Sequence, residues 1–90
     1  MKAVVLKVKP YQSRMGGNFC YIFFKGEDGK SYFTCVYERF ANYNRWRGII
    51  SLGAGTVVDN LNTKGKLIDA DSWVKIVNEK VLLDKQFAKV

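Results

Sequence analysis

Phe19, Tyr21 and Phe23 occupy every second position of one segment, and Tyr32, Thr34 and Val36 do the same in the next, in a chain of 90 residues with net charge +7. Side chains two apart on an extended strand share a face. Flat π-faces beside cations can stack bases and neutralise phosphates, although rings in the same places can equally fill a core. The nearby cations are Lys7, Lys9, Arg14 and Lys25, with Lys64 and Lys66 further along. Their placement is uneven: residues 1–25 carry five Lys or Arg and no acid, and residues 39–58 carry Arg39, Arg45 and Arg47 and no acid. Such spacing indicates basic loops on a folded surface rather than a disordered basic tail.

The inventory of reactive groups excludes much else. Without any histidine, the chain lacks an imidazole base, a Ser–His pair and any histidine-containing metal site. Cys20 and Cys35 are the only cysteines; they fall on facing strands, where a bridge is conceivable, but they read as reduced core residues. Asp69 and Asp71, spaced i, i+2 on a strand, would share one face, yet solvated outer carboxylates explain them better than a metal pair. Gly16-Gly17 and Gly53-Ala54-Gly55 match no phosphate-loop spacing. The expectation is a binding protein, not an enzyme, with no cofactor and no metal.

The elements that must position these residues follow from periodicity. Residues 3–9 form a first strand, with Val4, Leu6 and Val8 on one side and Ala3, Val5, Lys7 and Lys9 on the other. Pro10 interrupts the ladder, and residues 11–18 form a loop carrying Arg14. Strands over 18–25 and 30–38 flank Gly26-Glu27-Asp28-Gly29, a hairpin turn. A two- or four-residue connection gives the same parity. On it, Cys20, Ile22, Phe24, Phe33 and Cys35 form an apolar core face. Phe19, Tyr21, Phe23, Tyr32, Thr34 and Val36 form a face with hydroxyls, turned at least partly to solvent or ligand.

Between Glu38 and Leu52 the period of two is lost. Phe40, Tyr43, Trp46 and Ile50 recur at helical spacing, with Arg39, Asn42, Asn44 and Arg45 on the polar side. Trp46 on that stripe belongs with the core more readily than with a ligand. A closing hairpin then runs through 56–62 and 66–77 about Lys64-Gly65, with Val57, Leu61, Ile68, Ala70, Val74 and Ile76 inward together with Asp59 and Ser72. Its outer face carries Thr56, Val58, Asn60, Asp69, Asp71, Lys75 and Trp73. Trp73, among polar neighbours, is either a stacking residue or a surface covered by the tail.

At 48% hydrophobic, the chain supports one core and one domain over 1–77. Residues 78–90 form an extension apolar enough to pack on the barrel or on a second subunit. No stretch approaches the roughly 18 apolar residues of a membrane span, and the first residues lack a signal-peptide core. A cytoplasmic location, with no membrane partner, is therefore expected.

The fold class is all-β with one short helix, in the order of a five-stranded Greek-key barrel whose helix lies between the third and fourth strands. In this arrangement, carried by 3–10, by the aromatic hairpin 19–25 and 31–37, and by the closing hairpin 55–62 and 67–77, the chain resembles small OB-fold single-stranded-DNA-binding proteins of the bacteriophage and bacterial type. That resemblance implies a sequence-tolerant binder of single-stranded DNA in replication or recombination, with ligand across the second and third strands. Tyr21, Phe23 and Tyr32, with Thr34 and Trp73, would contact bases, and Lys7, Lys9, Arg14, Lys25, Lys64 and Lys66 would contact phosphates. The chain departs from the bacterial replication proteins in having no long acidic C-terminal tail. An RNA-binding module, or an assembly domain using the aromatic face as a homo-oligomer contact, are the alternatives.

Overall fold

The computed structural model of the chain describes residues 1–77, Lys80 and Val81. Three long strands rich in β-branched and aromatic residues come first: β1 (Ala3–Gln12), β2 (Asn18–Gly26) and β3 (Ser31–Tyr37). A helix, α1 (Tyr43–Leu52), follows, and then four short strands, β4 (Val57–Asp59), β5 (Thr63–Lys64), β6 (Leu67–Ile68) and β7 (Lys75–Ile76). They form one sheet in the order β5-β6-β3-β2-β1-β4-β7. Both ends of that order belong to one hairpin, because β4 and β5 lie on its first arm and β6 and β7 on its second. The sheet therefore curls until that hairpin meets β1 on one side, through Val58 and Val57, and β3 on the other, through Leu67. The result is a curled, barrel-like half-shell. Seven strands stand where five were expected because each closing arm is broken once. Asn60, at φ 65°, kinks the first. Residues 69–74 leave the ladder in the second, where Asp69 Oδ1 accepts from the Asp71 backbone N–H at 3.0 Å. Asp69 and Asp71 thus build a turn and do not share a strand face.

The β2–β3 turn sets the faces, and it corrects the expected parity. Gly26 N–H donates to Lys30 O at 2.8 Å and Gly29 N–H to Gly26 O at 3.0 Å. The loop is therefore the odd-numbered Glu27-Asp28-Gly29, with Gly29 at φ 81°. This is a three-residue hairpin connection, a turn closed by a left-handed residue. An odd loop reverses the parity of the second strand relative to a loop of two or four residues. Phe24 consequently faces Tyr32, Ile22 faces Thr34 and Cys20 faces Val36. Tyr32, Thr34 and Val36 are buried in the interior, whereas Phe33 and Cys35, expected in the core, lie on the outer face beside Phe23 and Tyr21. Asp28 locks the turn, accepting from the Tyr32 hydroxyl and, at 3.0 Å, from the Lys30 backbone N–H. Tyr32 folds over Gly26, where any Cβ would stand 2.8 Å from its ring.

A β-bulge changes parity in β1 as well. The register with β2 slips between Val5 and Lys7, so Val5 and Val8 both point inward while Lys7 and Lys9 point out. Ala3 and Val5 were expected on the lysine side; the extra residue, Leu6, moves them to the core. Pro10 does not end the strand, which runs on to Gln12. Past Val4, β1 has no strand on its other side, so a missing N–H there forfeits no ladder bond. In the closing arm the parity is likewise opposite to expectation before the Asn60 kink: Thr56 and Val58 are buried and Val57 only half-buried.

The helix fills the shell. Trp46 and Ile49 are fully buried, with the Trp46 indole edge-on to Phe24 at 6.3 Å. Its Nε1–H donates to Ala70 O at 2.9 Å, and Asn42 Nδ2 donates to the same carbonyl at 2.7 Å. The helix start is thus tied to the break in the closing arm. Of the extension, Lys80 and Val81 reach back to Leu52 O and Gly55 O respectively; the packing expected of the rest lies outside the described residues.

Among the described residues, one buried hydroxyl is unpaired, Thr34 Oγ1. An unsatisfied buried polar group costs about 1–3 kcal/mol, and valine has the same shape. Thr34→Val is expected to raise the unfolding free energy by about 1 kcal/mol in a urea titration. Asp28 titrates below its ordinary value of 3.8, first because Tyr32 donates to it and next because the Lys30 N–H does. A carboxyl group whose folded pKa is depressed contributes stability above its unfolded pKa and loses it as pH falls through the folded one. The thermal midpoint should therefore drop as pH is lowered through and below the ordinary carboxylate range, and less steeply in Asp28→Asn. Parallel curves for the two proteins would contradict the role given to this turn.

Candidate functional site

With parity set by the turn, the outer face of β1, β2 and β3 becomes a continuous floor of aromatic rings. Tyr11 opposes Phe19, Lys9 opposes Tyr21 and Lys7 opposes Phe23 across β1 and β2. Across β2 and β3, Phe19 opposes Tyr37, Tyr21 opposes Cys35 and Phe23 opposes Phe33. Phe19 stacks on Tyr37 at 5.0 Å and on Tyr11 at 5.5 Å, with interplanar angles of 28° and 19°. Tyr21 links this end to the other, lying 5.8 Å from Phe19, 6.2 Å from Phe23 and 6.5 Å from Phe33. Phe40, beyond β3, extends the row from Tyr37 at 5.1 Å. All seven rings are half-buried or exposed, with Tyr11 and Phe40 each 45% accessible. A contiguous apolar patch of this kind on a small protein is a candidate interaction surface.

Cations border the rings. Lys7 Nζ sits 4.9 Å from the Phe23 ring centre, and the Arg39 guanidinium lies 5.3 Å from Tyr37 and 5.7 Å from Phe40. Lys9 and Lys25 share the face, and Lys66 stands at its β6 edge, where its carbonyl accepts from Phe33 N–H at 3.0 Å. Lys64 ends β5 across the same exposed turn, and Arg14 is at the tip of the β1–β2 ribbon. Among the described residues the only ion pair joins the N-terminal ammonium to Asp59 at 4.0 Å. None of these side-chain cations is therefore paired with a carboxylate among the described residues.

Of the residues singled out in the sequence, Tyr21, Phe23, Lys7, Lys9 and Lys25 come together on this face, with Lys64, Lys66 and Arg14 at its margins. Tyr32 and Thr34 do not: 7% and 1% exposed, they belong to the core because the turn has three residues, and neither can present a surface to a ligand. Trp73 is 73% exposed, but it lies on the broken arm under the Arg45 guanidinium at 4.1 Å and pairs with no ring of the row. Four members of the row do not stand out in the sequence: Tyr11 reads as loop, Phe33 as core and Phe40 as part of a helix stripe, and nothing in the pattern singles out Tyr37. The overlooked signal was Gly29 as the third residue of an odd loop, a recognised hairpin type.

The cysteines sit on opposite faces, Cys20 inside and Cys35 outside, and both are free. Side chains that leave a sheet in opposite directions cannot be bridged. Burial pushes the Cys35 thiol above its ordinary value, against hydrogen bonds to Tyr37 and Tyr21 that lower it. It is thus a neutral filler between the rings.

Comparisons with protein-family models, with curated proteins and with solved structures return no match for this chain. Among the described residues, no helix is long and apolar enough to cross a membrane.

If the two faces are divided in this way, truncation should have opposite costs on neighbouring residues. Ile22→Ala is expected to lose about 2–5 kcal/mol of stability, and Tyr21→Ala far less, in paired denaturation curves. Similar losses for both would mean that the outer face is packed in solution.

Proposed function

We propose that the protein binds single-stranded nucleic acid, DNA in the first instance, by stacking bases on the outer ring floor and neutralising phosphates with the surrounding cations. One observation carries this reading: seven accessible rings in mutual contact on one sheet face, bordered by lysines and arginines that have no carboxylate partner among the described residues. A duplex hides the faces of its bases, whereas a single strand offers them, and every base has a π-face, so stacking tolerates any sequence. The fold agrees with the finer reading of an OB-fold-like Greek-key barrel. When β4 with β5, and β6 with β7, are each counted as one interrupted arm, five strands remain, with the helix between the third and fourth.

The cation column on β1, Lys7 and Lys9, lies beside the ring columns of β2 and β3. Phosphates on the first and bases on the second would run the strand along the ribbon, with Arg14 at one end. A ribose strand offers the same rings and charges, and competition between ribo- and deoxyribo-oligomers separates the two.

The test is titration of a labelled oligothymidine, followed by anisotropy at two salt concentrations. Binding is expected at low salt, with an affinity that falls as salt rises because counterions are released. Tyr21→Ala and Phe23→Ala should each weaken it by about 1–3 kcal/mol without moving the unfolding midpoint much. No binding at the lower salt would refute the proposal.

A further inference from the structure

The tip of the β1–β2 ribbon carries an apolar side chain that the fold does not use. Met15 is 96% exposed, more than any other large apolar residue described. It does not sit on a loose loop. Ser13 N–H donates to Gly17 O at 2.7 Å, Gly16 N–H donates to Ser13 O at 3.1 Å, and Gly17 N–H donates to Ser13 Oγ at 3.1 Å. Gly16, at φ 84°, closes the turn. Arg14 and Met15 are the two central residues of that turn, so their side chains stand at its crest.

The crest continues the ring floor. Tyr11 and Phe19 oppose each other in the last row of rings, Gln12 and Asn18 form the last ladder pair, and the turn follows. β3 stops at Tyr37, opposite Phe19, so the turn projects past the floor. From Tyr11 to Met15 the chain spans at most about 14 Å. Cations stand on both sides of it: Arg14 is the neighbour of Met15, and Arg39 shares with Gly16 and Gly17 the lining of a hollow of about 240 Å³. Residues 1–26 contain no acid. The acid nearest the tip, Glu38, leaves the sheet on the inner face with Asn18, whose Nδ2 donates to it at 2.9 Å.

An exposed apolar side chain between cations suits a place where an apolar face and phosphates meet. Along a single strand the base faces are already taken by the rings. Where a single strand leaves a duplex, the last base pair offers one more flat face, with phosphates of two strands beside it. Methionine, unbranched and polarisable, adapts to such a face, and apolar side chains at the ends of protein arms enter base steps as wedges.

We propose that the β1–β2 tip engages the junction between single-stranded and duplex nucleic acid, with Met15 wedged between the last base pair and the first unpaired base, and Arg14 and Arg39 on the flanking phosphates. This junction site rests on the proposed strand-binding role: the single-stranded arm lies on the ring floor and delivers the duplex end to the tip.

The experiment titrates labelled probes of one kind of tail: an oligothymidine alone, the same tail on the 5′ end of a hairpin duplex, the same tail on its 3′ end, and the hairpin without a tail. The last base pair of the hairpin contains 2-aminopurine, which brightens when it loses a stacked base. The wild type is expected to bind one of the tailed hairpins about tenfold more tightly than the tail alone and to brighten the junction base. Met15→Ser should remove the gain and the brightening while leaving the affinity for the tail unchanged, and Met15→Leu, which stays apolar, should keep both. Equal affinities for the tail and the tailed hairpins would overturn the junction site and leave the stacking surface standing. So would a gain that survives in Met15→Ser, a gain without brightening, or an untailed hairpin bound as tightly as the tailed ones. No binding of any probe would overturn the surface and the junction site together.

Discussion

The three residues Glu27-Asp28-Gly29 decide the character of this molecule. Their number, not their chemistry alone, places Tyr32 against Phe24 and turns Phe33 outward. Had the loop held two or four residues, the second strand would have presented every side chain to the opposite layer. The turn is over-determined. Gly29 adopts a left-handed backbone, Asp28 gathers the Tyr32 hydroxyl and the Lys30 N–H, and Gly26 leaves room for the tyrosine ring to lie across it. One side chain, Tyr32, thus serves the core and the turn together.

From that division follow two layers of aromatic residues with different physics. Inside, Phe24 and Trp46 meet edge to face, and the indole finds its acceptor in Ala70, so the large rings of the core leave no polar atom stranded. Outside, the rings are too many to hide and too close to be independent. Each covers part of its neighbour's surface, which lessens the cost of exposing them to water while leaving outer surface free. Lys7 and Arg39 lie against this layer, held by the ring quadrupoles. The positive charges of these two side chains are in this way held at the ring surface.

The closing hairpin shows a different economy. It must span from β1 to β3 around a curved shell, and a regular ladder of that length would run straight past one of them. Asn60 and the turn at 69–74 break it into short pieces that bend, and the break in the second arm supplies the carbonyl of Ala70 to which both Asn42 and Trp46 donate. The irregularity that increased the strand count is therefore also the anchor of the helix.

Much was legible in the residues themselves. The alternation in 19–25 correctly separated Cys20, Ile22 and Phe24 from Phe19, Tyr21 and Phe23, since a strand's period of two is local and survives any environment. The helix and the burial of Trp46 followed from spacing, and the basic character of Lys7 and Lys9 on an outer face from charge. What the sequence left open were the places where one residue more or less changes the side: the odd turn before β3, the bulge at Leu6 and the kink at Asn60. A single insertion in a ladder costs little locally and reverses everything beyond it, so only closure of the shell, with its demand that Val5, Thr34 and Val58 all be buried together, selected the register. The residue types therefore determined that this chain would carry rings and cations on strands; the tertiary structure alone decided which rings would be left facing the solvent.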